Sequence, residues 1–223
     1  MTSPLPLPAS LPQRLLALLL GGLLWLSLQA PVRADPGRFL ASPSTAELQA
    51  ELQALQSSAA ATSTPESRER LDDLTRLASA IARSDDRAQL HNDSRHNVGV
   101  FLRNKKDPSR TPAPFTVLGP GQETDDDYEL VGFYVPAAVS LRWEPGGAPA
   151  AARPRVARLL EGQPLRLTDP AADPAADPAA TTYSLDLPVF ALLPADSAAA
   201  LVAELPAFSQ AELDAQPVTA PTD

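Results

Sequence analysis

Two histidines, His91 and His96, stand in the polar segment His91-Asn92-Asp93-Ser94-Arg95-His96, and they are the only histidines in the chain. Imidazole is the side chain best suited to proton transfer near neutral pH, and two rings with a carboxylate are the usual start of a metal site. The chemistry to test is therefore metal-assisted hydrolysis by His91, Asp93 and His96. Spacing works against it. Five residues place the two rings about 140° apart around a helix and on opposite faces of a strand, so only an irregular loop brings them together. Asp93 and His96 do share a helical face, which leaves Asp93 as the third ligand. Ser94 adds no nucleophile, because it lies too near Asp93 and His96 in sequence to complete a triad with them. Neither a G-x-S-x-G turn nor a phosphate-cradling glycine loop occurs.

A second constellation is acidic: Glu123, Asp125, Asp126, Asp127 and Glu129. In extended chain Asp125, Asp127 and Glu129 project to one side and offer calcium hard oxygen ligands. The EF-hand pattern fails, since a loop counted from Asp125 places Leu130 and Pro136 where glycine and glutamate are required. A solubilising acidic loop is the plainer reading. Arg95, Arg103, Lys105, Lys106 and Arg110 form one basic cluster, and Arg153, Arg155, Arg158 and Arg166 a second. The patch Arg103, Lys105, Lys106 and Arg110 suits an anionic partner such as a lipid headgroup, a glycan or an acidic protein. The favoured alternative is compensation by the neighbouring acids. No cofactor is implied.

The elements that would position these groups lie behind an export segment. Residues 1 to 34 contain no Asp or Glu, Arg14 precedes the apolar run Leu15 to Leu28, and Val32-Arg33-Ala34 presents small residues where a signal peptidase reads. That run is shorter than the roughly 20 residues of a membrane span. The expected cut falls between Ala34 and Asp35, leaving 189 residues, 16 of them basic and 27 acidic. The competing reading keeps residues 15 to 32 as an N-terminal membrane anchor of a structural protein. The whole chain has 223 residues, 25 prolines, a net charge of −9 and no cysteine. Such a composition excludes a disulfide scaffold, thiolate metal centres, a cysteine nucleophile and a general nucleic-acid binder.

After a polar linker at 35–43, Ser44 and Glu47 form a capping box, and Leu48, Leu52 and Leu55 recur at helical spacing. Thr64-Pro65-Glu66 starts a second helix with Leu71, Leu74, Ala78 and Ile81 on one face. Residues 44–84 are thus an amphipathic helical hairpin. From Asn97 the period changes to two: Val98-Val100-Leu102, Phe115–Leu118, Leu130–Val135, Val139-Leu141-Trp143 and Tyr183-Leu185-Leu187 alternate or run apolar. Val156–Leu160 and Leu165–Leu167, around Glu161-Gly162, read as a hairpin. The connections hold no crossover helices, so residues 95–205 form a mostly antiparallel sheet domain.

Three Asp-Pro-Ala-Ala repeats within 168–182 make a stiff spacer. A short helix capped by Asp196 runs to Leu205, and 206–223 reads as a disordered tail. The fold class is α+β. Excess arginine over lysine, with abundant alanine and proline, resembles a GC-rich bacterial genome. The expectation is an exported, periplasmic or secreted, non-enzymatic binding or interaction protein of the cell envelope.

Overall fold

A computed structural model describes residues 45–58, 64–84, 89–107, 113–144, 146–170, 181–199 and 201–221. The export segment with its Ala34/Asp35 cleavage point, the linker 35–43, Ser44, Arg110 and most of the Asp-Pro-Ala-Ala spacer lie outside the described residues.

Helices α1 (Thr45–Ser57) and α2 (Pro65–Ile81) pack on each other. Thr64 caps α2 by accepting from the Ser67 amide at 3.2 Å, with Pro65 in the first turn, where its missing N–H costs nothing. Eleven strands follow: β1 (Leu90–Asp93), β2 (Val98–Asn104), β3 (Phe115–Leu118), β4 (Gln122–Glu123), β5 (Tyr128–Val135), β6 (Ser140–Arg142), β7 (Gly147–Ala148), β8 (Arg155–Arg158), β9 (Leu165–Thr168), β10 (Thr182–Leu185) and β11 (Ala191–Pro194). Two short helices, α3 (Ala195–Ala198) and α4 (Gln210–Asp214), end the chain. The protein is thus a sheet-dominated α+β fold.

The strands form two sheets, ordered β4-β1-β9-β10-β6-β7 and β11-β8-β5-β2-β3. Their facing sides share one core. Leu90, Leu141, Leu167 and Tyr183 come from the first sheet, and Val98, Val100, Leu130 and Phe133 from the second. Both sheets are mostly antiparallel; β1 with β9 and β6 with β10 are the parallel pairs. These partners are distant in sequence, and the chain between them passes through the other sheet, so neither pair needs a crossover helix.

The expected hairpin between β8 and β9 does not form, because the two strands belong to different sheets. Gly162, at φ 74°, turns the chain from one layer to the other, while Leu159, Leu160 and Gln163 are buried at the crossing. Gln163 occupies that apolar corner because its side chain accepts from the Leu160 amide at 3.1 Å and donates to the Pro188 carbonyl at 3.1 Å.

The second sheet is covered on its outer face too, which is why six consecutive residues of β2 are buried. Phe101, Val131, Tyr134 and Val156 pack there against Leu201, Val202 and Leu213. A register shift at Phe101/Leu102 inserts Val131 into β5, so Leu130 and Phe133 face the inner core while Val131 and Tyr134 face outward. Gly99 on β2 lies under the Phe115 ring, where a Cβ would come within 2.4 Å of a ring carbon.

The helical pair packs on the β-rich part through Leu48, Leu74, Leu77 and Ile81, which meet Leu160 and Phe190. Arg158 donates to both carboxylate oxygens of Glu47, at 3.0 and 3.2 Å, and Arg70 donates to the Phe190 carbonyl at 2.8 Å.

The C-terminal region departs from its expectation in two places. The helix expected from Asp196 to Leu205 stops at Ala198, and Pro194, not Asp196, is its N-cap residue. Leu201 and Val202 still face inward, held by backbone bonds between 113 and residues 201 and 203. Residues 206–221, expected as a disordered tail, are folded. Ser209 and Glu212 cap α4 reciprocally, Leu213 is fully buried, and the Thr219 and Ala220 amides both donate to the Val117 carbonyl at the edge of β3. Among the described residues no helix is long and apolar enough to cross a membrane.

Candidate functional site

His91 and Asp93 sit on β1, two residues apart and therefore on one face, so the segment is a strand followed by a turn and not the irregular loop that converges three ligands. The antiparallel register puts His91 opposite Glu123, and its Nε2 lies 2.7 Å from the Glu123 carboxylate. Asp93 pairs with Arg166 on the neighbouring parallel strand β9. His96 lies beyond the turn, with Nδ1 2.8 Å from Asp214 and Nε2 accepting from Arg95 at 3.3 Å. A neutral ring in that position carries its proton on Nδ1. Each member of the proposed triad thus has a separate partner, and among the described residues no three ligating groups converge.

Ser94 is committed as well, donating to Asn92 Oδ1 at 2.7 Å. The polar group around His96 is a structural clamp. Asp214 accepts from the Asn97 amide at 2.9 Å and from Gln210 Nε2 at 2.8 Å, and Asn97 Nδ2 donates to the carbonyls of Leu213, Asp214 and Gln216. Tyr183 donates to Gln210, and its burial, with the charge of Asp214 adding, pushes the phenol up. Asn92 Nδ2 satisfies the carbonyls of His96 and Gly119 at 2.8 and 2.9 Å. These bonds tie α4 to the β1–β2 turn.

The acidic and basic clusters also meet each other. Antiparallel pairing of β2 with β5 sets Arg103 opposite Glu129, and the two form a largely buried ion pair. Lys106 lies 2.6 Å from Asp127, which raises the lysine first through that hydrogen bond and then through the charge. Lys105 donates to the Asp126 carbonyl at 2.6 Å. Asp125 accepts from the Asp127 amide at 2.7 Å in an Asx turn. Asp125, Asp127 and Glu129 therefore face separate partners instead of a common cation, and Arg103, Lys105 and Lys106 spend their charge on the neighbouring loop.

Open space lies elsewhere. Two grooves, of about 650 and 400 Å³, share Arg142, Trp143 and Glu144 at the β6–β7 end of the first sheet. Glu69 of α2, Ser140 and Thr182 line the larger, and Arg76 of α2, Ser184 and Asp186 the smaller. Trp143 Nε1 donates to Asp73 Oδ2 at 2.8 Å, and the other oxygen of that buried carboxylate is 3.9 Å from Arg76. The chain matches no known protein family, no curated protein and no solved structure.

Residues Glu69, Arg142 and Glu144 make no ion pair or side-chain hydrogen bond among the described residues. Neither do the hydroxyls of Ser140, Thr182 and Ser184. Trp143 was visible in the sequence only as the end of an alternating strand. What makes it a wall between two grooves is α2 laid across the sheet edge, a contact 70 residues away in the chain.

Proposed function

We propose that this protein is exported, loses residues 1–34, and works outside the cytoplasm as a non-enzymatic binding protein of the bacterial envelope. In this reading the helical hairpin at 44–84 is a fixed part of the binding unit, since α2 supplies one wall of the groove. The observation that carries it is a division of labour among polar residues. The histidines, the acidic run and the lysines are bonded to one another, while the Arg142-Trp143-Glu144 ridge presents unengaged charges to two open grooves. Both ring nitrogens of His96 are occupied, and His91 Nε2 is paired with Glu123.

The test uses cells of the native type. Mass measurement should place the mature N-terminus at Asp35, and a photo-crosslinking side chain at Glu144 should give an adduct that the same side chain at exposed Asp196 does not. Retention of residues 1–34 with release only by detergent supports the anchored alternative. Absence of an adduct at position 144 overturns binding at this ridge.

A further inference from the structure

An open sheet edge offers unpaired N–H and C=O groups to any other strand, so an outer strand has to be short, interrupted or covered. Four strands lie at the edges of the two sheets. Strands β4 and β7 have two residues each, and β11 ends in Pro194, which has no N–H to donate. Strand β3 has none of these protections. Its sequence Phe115-Thr116-Val117-Leu118 is made largely of strand-forming residues, and residues 113–121 carry no charge.

The β3 groups that point outward are set by the alternation of an antiparallel ladder. Val117 makes its bonds on the side away from β2, so its pairing with Gly99 is a non-hydrogen-bonded one, and two residues on, so is the pairing of Phe115 with Phe101. Later parts of the chain meet this edge at two points. Ala113 donates to the Leu201 carbonyl and accepts from the Ala203 amide, both at 2.9 Å. The Val117 amide donates to the Thr219 hydroxyl at 3.0 Å, and the Val117 carbonyl accepts from the Thr219 and Ala220 amides at 2.9 Å. Between these points the outward N–H and C=O of Phe115 meet no partner among the described residues.

Residues 217–221 cover the edge without extending the sheet. A hydroxyl stands where another strand would offer a carbonyl, and two amides share one acceptor. The segment is anchored on both sides, by Asn97 at the Gln216 carbonyl (3.1 Å) and by the Asp125 amide at the Pro221 carbonyl (3.1 Å). Between the anchors Val218 lies over Gly119, where a Cβ would come within 2.9 Å of its methyl group. We infer that residues 217–221 are a strap that closes the β3 edge against strand addition by a second copy of this chain. The edge is complementary to itself. Turned about a two-fold axis, Thr116 opposes Thr116, and Phe115 and Val117 of one copy exchange hydrogen bonds with Val117 and Phe115 of the other. Neither copy brings a charge to repel its partner there.

The experiment uses the full chain carrying Thr219→Pro and Ala220→Pro, which removes the hydroxyl and both amides that engage Val117 and leaves α4 and Leu213 in place. Sedimentation equilibrium should show the mass doubling with concentration while the far-ultraviolet circular dichroism is unchanged. Adding Thr116→Lys, which sets like charges opposite each other across the two-fold, should return the single-chain mass. The unaltered chain should show no association that Thr116→Lys removes. A double-proline variant that keeps the single-chain mass overturns the inference, as does association that Thr116→Lys leaves intact, or a chain with its strap unaltered that already pairs in a Thr116→Lys-sensitive way. Should the prolines abolish the circular dichroism of the fold, Thr219→Ala replaces them: it should associate weakly at high concentration, again reversed by Thr116→Lys, and a single-chain mass throughout overturns the inference.

Discussion

The folded C-terminus is the feature most directly open to refutation, through Leu213→Ala in the full chain. Leu213 is 0% exposed and packs on the outer face of the second sheet among Phe101, Val131 and Tyr134. Truncating a buried leucine costs about 2–5 kcal/mol, depending on how far the site collapses. A short terminal segment has an escape route, because it can detach and limit the loss to its own opening free energy. Here detachment is resisted. It would strip the Asn97 amide and side chain of their partners on Asp214, Leu213 and Gln216, break His96 from Asp214, and release Thr219 and Ala220 from the β3 edge. Each of these bonds contributes about 0.5–1.5 kcal/mol net, and together with the other apolar contacts of the segment they hold it down against the loss of one side chain. The expected loss is about 3 kcal/mol. With a urea slope of about 2 kcal/mol/M, the midpoint falls by about 1.5 M, followed by far-ultraviolet circular dichroism. Val218→Ala, at a position 46% exposed, is the control and should stay within about 0.5 kcal/mol. An unchanged midpoint for Leu213→Ala would refute the packing and restore a loose tail.

Two further outcomes follow from the pairs and phenols described above. Arg103→Met strands Glu129 in a site where its side chain is 14% exposed, and should cost about 3 kcal/mol in the same urea assay; adding Glu129→Leu should recover most of it, whereas a single-variant loss under about 1 kcal/mol would show a solvent-screened pair. Burial, with Glu212 adding, pushes Tyr134 up to about 12, and Tyr183 moves in the same direction. In the unfolded chain these phenols lose their protons near pH 10, so above that pH the unfolded state binds fewer protons and stability falls as pH rises toward 12. Unfolding midpoints between pH 8 and 11 should show this decline, shallower in Tyr134→Phe; a flat profile would contradict it.

Local chemistry was legible wherever the cause lies within a few residues. Thr64-Pro65 starts a helix because the cap oxygen and the fixed proline φ act on the same turn. The alternating runs of β2 and β10 and the apolar run of β5 became strands for the same reason. Ser209-Gln210-Ala211-Glu212 carried an equally readable capping box; the low apolar content of 206–223 hid it, because Leu213 needed a partner from β2 and β5 before its burial had meaning. The acidic and basic clusters were legible as mutually compensating, although which carboxylate meets which cation waited on the β2–β5 register.

Distant partners were not legible. His96 finds Asp214 across 118 positions, and β8 parts from β9 although the turn between them has hairpin composition. Residue types set torsional preference and mark which side of each element is apolar, and those terms act over one turn or one pleat. Several apolar strands of similar length offer near-equivalent partners, and loop closure grows dearer only logarithmically with length, so sequence distance does little to choose among them. The choice falls to the arrangement that fills both faces of the second sheet at once. That same arrangement lays α2 against the edge of the first sheet, and so creates the grooves beside Trp143.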